Sequence, residues 1–144
     1  MIETISGILT AVVIIFITRM LSEYFTVKLM ATSILVAIAF IYVGFALKEN
    51  TASLITLEIG FALILYFLAI IGYTRNSLLI AYGIILHGIW DIFHHQGFLI
   101  GTEIPDYWPS FCFIIDIIDG LYFLIIFRRE KSIREFELLQ GIKK

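Results

Sequence analysis

The stretch SLITLEIGFALILYFLAIIGY, Ser53–Tyr73, decides the architecture. Its 21 residues carry one charge, Glu58. At ~1.5 Å of rise per residue they make a helix of ~30 Å, the thickness of the hydrocarbon core of a bilayer. Working outward, four more stretches of the same kind flank it: Thr4–Leu21, Leu29–Leu47, Ser77–His95 and Tyr107–Phe127. All five are too long and too uniformly apolar for barrel strands, and only helices satisfy their own backbone groups in lipid. The expected fold is an all-α integral membrane protein, a bundle of about five transmembrane helices. Residues 1–127 form a single transmembrane domain, and 128–144 a charged cytoplasmic tail helix. The short connections KENTA and TRN predict that sequence neighbours pack antiparallel.

The composition agrees. Of 144 residues, 60% are hydrophobic and 15% charged, and the mean hydropathy is +0.99. A soluble domain of this length has too little interior to hide that much apolar surface. A net charge of −2 offers no broad basic face for nucleic acid. The single cysteine, Cys112, excludes an intrachain disulfide framework and reads as a small hydrophobe. The start, MIETISGILT, carries Glu3 and no basic n-region, so the first span is expected to stay in the mature protein.

Basic residues set the expected orientation. With an inside C-terminus, the inner face receives Arg19, Lys28, Arg75, Arg128, Arg129, Lys131, Arg134, Lys143 and Lys144, and the outer face only Lys48. The N-terminus and the 96–106 loop then lie outside, in a multi-pass protein of the cell membrane if the source is prokaryotic. The tail RREKSIREFELLQGIKK reads as a solvated charged helix, with Ile133, Phe136 and Leu139 as the face that would dip into lipid.

Against this background the spans hold Glu58, His87, Asp91, His94, His95, Asp116 and Asp119, and no Lys or Arg. A charge at the bilayer centre costs at least ~2.5–3.5 kcal/mol, so unpaired acids there demand a reason. Counting down from the outer ends puts Glu58 at ~7 Å, Asp91 at ~6 Å, His87 at ~12 Å, Asp116 at ~13 Å and Asp119 at ~18 Å, with His94 and His95 near the rim. Almost all of them fall in the outer half, from three consecutive spans. At ~100° per residue, His87, Asp91 and His94 share a face within ~60°, with His95 at its edge. Cys112, Asp116 and Asp119 share a face of the last span. The expectation is an outward-facing pocket of carboxylates and imidazoles, closed below by apolar layers.

Imidazole nitrogen with carboxylate oxygen suits a divalent metal, zinc or iron, and the lone cysteine excludes a thiolate-rich site. His87, Asp91, His94, His95 and Asp116 are the candidate ligands. Glu58 and Asp119 are the candidate catalytic acids, as general base or proton carrier. The segment DIFHH, residues 91–95, resembles the H-x-x-H-H boxes of membrane di-iron hydroxylases and desaturases over five residues. It has Asp91 where they have His, and their other boxes are missing, so the likeness identifies no family. Trp90 reads as an interfacial or packing aromatic, with walling the cavity as the alternative, and Gly7, Gly44, Gly60, Gly83, Gly88 and Gly120 as points of close helix approach.

Three function classes follow. The first is a metal-dependent membrane-embedded enzyme, a hydrolase or iron oxidoreductase, acting on a lipid or other apolar substrate. The second is a cation- or proton-coupled transporter. Against it, five spans do not divide into inverted halves and the polar residues do not continue to the inner side. The third is a membrane assembly or ligand-binding subunit. Membrane lipid is the expected partner in all three, and a homo-oligomer or a partner membrane subunit is compatible with each.

Overall fold

The computed structural model describes residues 2–95, 99–101 and 103–141. The described chain is helical, with six helices: α1 (Ile2–Leu21), α2 (Val27–Ala39), α3 (Ile41–Glu49), α4 (Ala52–Thr74), α5 (Leu78–Phe93) and α6 (Trp108–Leu139). Four apolar stretches are long enough to cross a membrane: α1, α2 with α3, α4, and α6. α5 is shorter, 16 residues, or ~24 Å. The second span is two helices broken at Phe40, two residues before Tyr42. α6 runs unbroken through both the last span and most of the charged tail. Lys143 and Lys144, and residues 96–98 and 102 of the expected outer loop, lie outside the described residues.

This is an apolar protein turned outward. Val12, Val13, Phe16, Leu63, Ile64, Phe67 and Ile125 are exposed around its girth. In water such a surface would aggregate, whereas in lipid it costs nothing. Arg19, Lys28, Arg75, Arg128, Arg129, Lys131 and Arg134 gather at one end of the bundle, where α1 and α4 finish and α2 and α5 begin. That end is called the basic end below.

α5 is the helix the others surround. It packs most extensively on α6 and also touches α4 and α2. Glycines set the closeness of the α5–α6 pair: a Cβ at Gly120 would meet Ile85 at 2.5 Å, and one at Gly88 would meet Asp116 at 3.1 Å. Gly83 likewise admits Leu35 of α2. Gly44 and Gly60, expected to mark close approaches, face open space. α1 also differs from the expectation of antiparallel neighbours, since it packs chiefly on α6 and barely on α2. Its small side, Gly7 and Ala11, is the buried one, and Gly7 sits against Phe111 and Ile114. Small residues admit a neighbouring backbone, and in lipid that packing outweighs chain proximity.

A core of Ala31, Leu35, Ala62, Leu65, Ala69, Ile80, Ala81, Ile84, Phe123 and Phe127 fills the half nearer the basic end. The other half of the interior is polar.

Candidate functional site

Six ionisable groups and one tyrosine are buried together, and they come from four helices. α5 contributes His87, Asp91 and, at its C-cap, His94. α6 contributes Asp116 and Asp119, α4 contributes Glu58, and α3 contributes Tyr42. His95 is the exception: one residue past His94 it is exposed, at the mouth of a cleft rather than among the others.

Two units are distinguishable. In the first, His87 Nδ1 lies 2.6 Å from Asp116 Oδ2, and Tyr42 OH donates to Asp91 Oδ1 at 2.6 Å. His87 Nδ1 and Asp91 Oδ1 are 3.9 Å apart, one helical turn along α5. A ring nitrogen of His87 and one carboxylate oxygen each from Asp91 and Asp116 all lie within 4.8 Å of one another. Among the described residues, His87 Nε2 and Asp91 Oδ2 are buried without a hydrogen-bond partner, as are both oxygens of Asp119. Asp119 follows Asp116 by three residues, so it continues the same face of α6 toward the apolar core.

The second unit is closed. His94 Nε2 lies 2.7 Å from Glu58 Oε1, and His94 Nδ1 lies 3.1 Å from the carbonyl oxygen of Trp90. Trp90 Nε1 donates to Glu58 Oε2 at 3.2 Å, and its ring stacks on Phe61 at 3.9 Å. Both nitrogens of His94 and both oxygens of Glu58 are thus occupied. Tyr42 joins the two units: its ring stacks on His94 at 4.0 Å and on His87 at 5.7 Å while its hydroxyl holds Asp91.

The first unit has an approach. A cleft of about 310 Å³ opens between α1, α5 and α6, with Thr4 and His95 among its lining, Pro109 and Phe113 on α6, and Asp91 inside. It faces away from the basic end, as the sequence expectation of an outward pocket requires.

The comparisons with known proteins can now be placed on this geometry. Residues 2–129 match the model of a family of unknown function, DUF6010. The chain belongs to that family. The DUF6010 match takes in every group of both units and ends in the tail portion of α6. No curated protein and no solved structure matches the chain.

The sequence reading placed Glu58, His87, Asp91, His94 and Asp116 in one polar interior, and the structure brings all five together with Asp119 beneath. It missed Tyr42, which is 2% exposed and touches three members of the site. Trp90, read as an interfacial or packing aromatic or a wall of the cavity, is in addition a donor to Glu58. The signal for both was available: a buried Tyr or Trp brings a polar atom that needs a partner.

Proposed function

We propose that the first unit is a divalent-metal site and that the protein is a membrane-embedded metal-dependent hydrolase of an apolar substrate. One observation carries the reading. His87 Nε2 and Asp91 Oδ2 are buried without a hydrogen-bond partner among the described residues, and His87, Asp91 and Asp116 each bring one ligand atom within 4.8 Å of the others, beside a cleft that reaches Asp91. Buried polar atoms are ordinarily satisfied, and a cation is a partner that both a bare imidazole nitrogen and a bare carboxylate oxygen accept.

The surroundings are those a metal-ligating histidine needs. Asp116 on Nδ1 fixes the ring and its tautomer, leaving Nε2 for the ion. Tyr42 holds one oxygen of Asp91 and leaves the other. An ion here would supply a water acidic enough to attack an ester-type bond near neutral pH. Asp119, with both oxygens free of hydrogen bonds among the described residues, is the candidate proton carrier, since Glu58 is engaged by His94 and Trp90. The cleft, with Ile92, Pro109 and Phe113 on its walls, suits an acyl chain or another apolar group entering from the bilayer. Iron in place of zinc would turn the same ligands to oxidation.

The test is elemental analysis of detergent-purified protein. Near-stoichiometric zinc or iron in the wild type, lost in both His87→Ala and Asp91→Ala, is the expected result. Its absence after reloading with each ion retires the metal reading. A second reading then takes its place, favoured by Asp119. Asp91, His87, Asp116 and Asp119 form a file of ionisable groups that runs from the cleft into the core, as a proton path would. Proton flux in liposomes that is lost in Asp119→Asn would support it.

A further inference from the structure

The basic end holds a second polar cavity, remote from the histidines. It measures about 280 Å³ and lies between the first turn of α2, the α4–α5 turn and the tail portion of α6. Lys28, Arg75, Lys131 and Arg134 line it with Asn76 and Ser77, and no acid is among the lining residues. Among the described residues, only Lys131 of the four has a carboxylate within ion-pair distance, Glu135 at 3.9 Å, and that pair is exposed to solvent. Lys28 Nζ lies over the ring of Tyr73 at 5.3 Å. Four converging cations repel one another, and an anion in the cavity relieves that repulsion.

The level of the cavity says which kind of anion. α2 begins at Val27, α4 ends at Thr74, and the apolar run of α6 gives way to Arg128 and Arg129 after Phe127. The cavity therefore sits where the apolar girth of the bundle stops, the depth of lipid headgroups. Beside it, an apolar groove of about 450 Å³ runs between α1 and α2, with Ile14, Ile17, Leu21, Leu29, Met30 and Ile34 on its walls. It exists because α1 leans on α6 and leaves α2 nearly untouched. Leu29 and Met30 follow Lys28 in one turn of α2, so groove and basic cavity share that turn.

We propose that cavity and groove together form a binding site for one anionic phospholipid, with its phosphate among Lys28, Arg75, Lys131 and Arg134 and an acyl chain along the α1–α2 groove. A phosphate alone would use the cations and leave the groove unfilled. A zwitterionic lipid would fill the groove but bring its own cation to a cavity that already has four.

Native mass spectrometry of the full chain in detergent, with phosphatidylglycerol and phosphatidylcholine in competition, tests this. The wild type should retain one phosphatidylglycerol in preference. Arg75→Gln with Arg134→Gln should lower that preference roughly 30-fold. Lys28→Gln with Lys131→Gln is the parallel pair should the first not fold. Equal retention of the two lipids, or a preference unchanged in either folded double variant, overturns the proposal. Displacement of phosphatidylglycerol by millimolar inorganic phosphate also overturns it, by assigning the cavity to a soluble anion.

Discussion

His87 and His94 stand seven residues apart on one side of α5, and their surroundings treat them differently. The ring of His94 is used up, one nitrogen by the Trp90 carbonyl and the other by Glu58 of α4. The ring of His87 is half used, with Nδ1 on Asp116 of α6 and Nε2 without a hydrogen-bond partner among the described residues. Since the Trp90 carbonyl can only accept, His94 Nδ1 must donate to it. The His94–Glu58 pair is a finished structural unit, a way to hold α4 to α5 in lipid. The His87 unit is unfinished in the sense that matters for chemistry. Position on a helix chose which way both rings face, and the neighbouring helix decided what each had left to offer.

The comparison breaks most visibly in metal content. His87→Ala should reduce the bound metal to background, while His94→Ala should keep it, with both measured by elemental analysis on the same preparation. Equal loss in both variants would mean that His94 leaves Glu58 to ligate, and the distinction between the two units would fall.

Stability should order them the other way. Glu58→Ala strips the partner from a buried, hydrogen-bonded pair, and such losses cost about 3–5 kcal/mol. Thermal or denaturant unfolding in detergent should show this, and the double replacement Glu58→Leu with His94→Leu should recover most of it, because no orphaned polar group remains.

Tyr42→Phe probes the join. It keeps the stacking on both imidazoles and removes only the hydroxyl bonded to Asp91. Leaving a buried acceptor without its partner costs about 1–3 kcal/mol. The variant should lose that much stability in apo protein and less when metal-loaded, since the ion then steadies Asp91 instead. An equal loss in both forms would place Asp91 outside the metal site.

Much of this was legible in the sequence, for a physical reason. A bilayer imposes length and polarity on every span, so apolar runs mark the helices; four prove long enough to cross a membrane, and the run Ser77–His95 yields the shorter α5. Rise per residue then placed His87 and Asp116 at nearly one depth, ~12 and ~13 Å, and these two hydrogen-bond. The same arithmetic set Glu58 at ~7 Å, below His94 near the rim, and these two also hydrogen-bond. Lateral arrangement was not legible. Nothing in α1 says that it will lean on α6, and the open faces of Gly44 and Gly60 look in sequence like the tight one of Gly120. Tyr42 escaped because a tyrosine passes unremarked in an apolar span. What the sequence could not show was which nitrogen and which oxygen would be left without a partner.

The finest probe of the difference between the two histidines is Gly88, next to His87. A Cβ there would meet the Cβ of Asp116 at 3.1 Å and Ile117 Cδ1 at 3.4 Å, so alanine asks α6 to yield by a few tenths of an ångström at the level of the His87–Asp116 contact. In the other direction, Gly→Ala within a helix gains about 1 kcal/mol of helix propensity. The two effects oppose each other, and Gly88→Ala should unfold within about 1 kcal/mol of the wild type. Metal affinity should nonetheless fall several-fold, because Asp116 orients the ring that would ligate, and a displaced orienting carboxylate is felt by the ion. The His94–Glu58 pair lies toward α4 and should not notice, so the Trp90 fluorescence, which reports the indole bonded to Glu58, should stay as it is. Should metal affinity hold while that fluorescence shifts, the close packing of α5 on α6 would be serving the structural histidine and not the reactive one, and the roles assigned to the two rings would have to be exchanged.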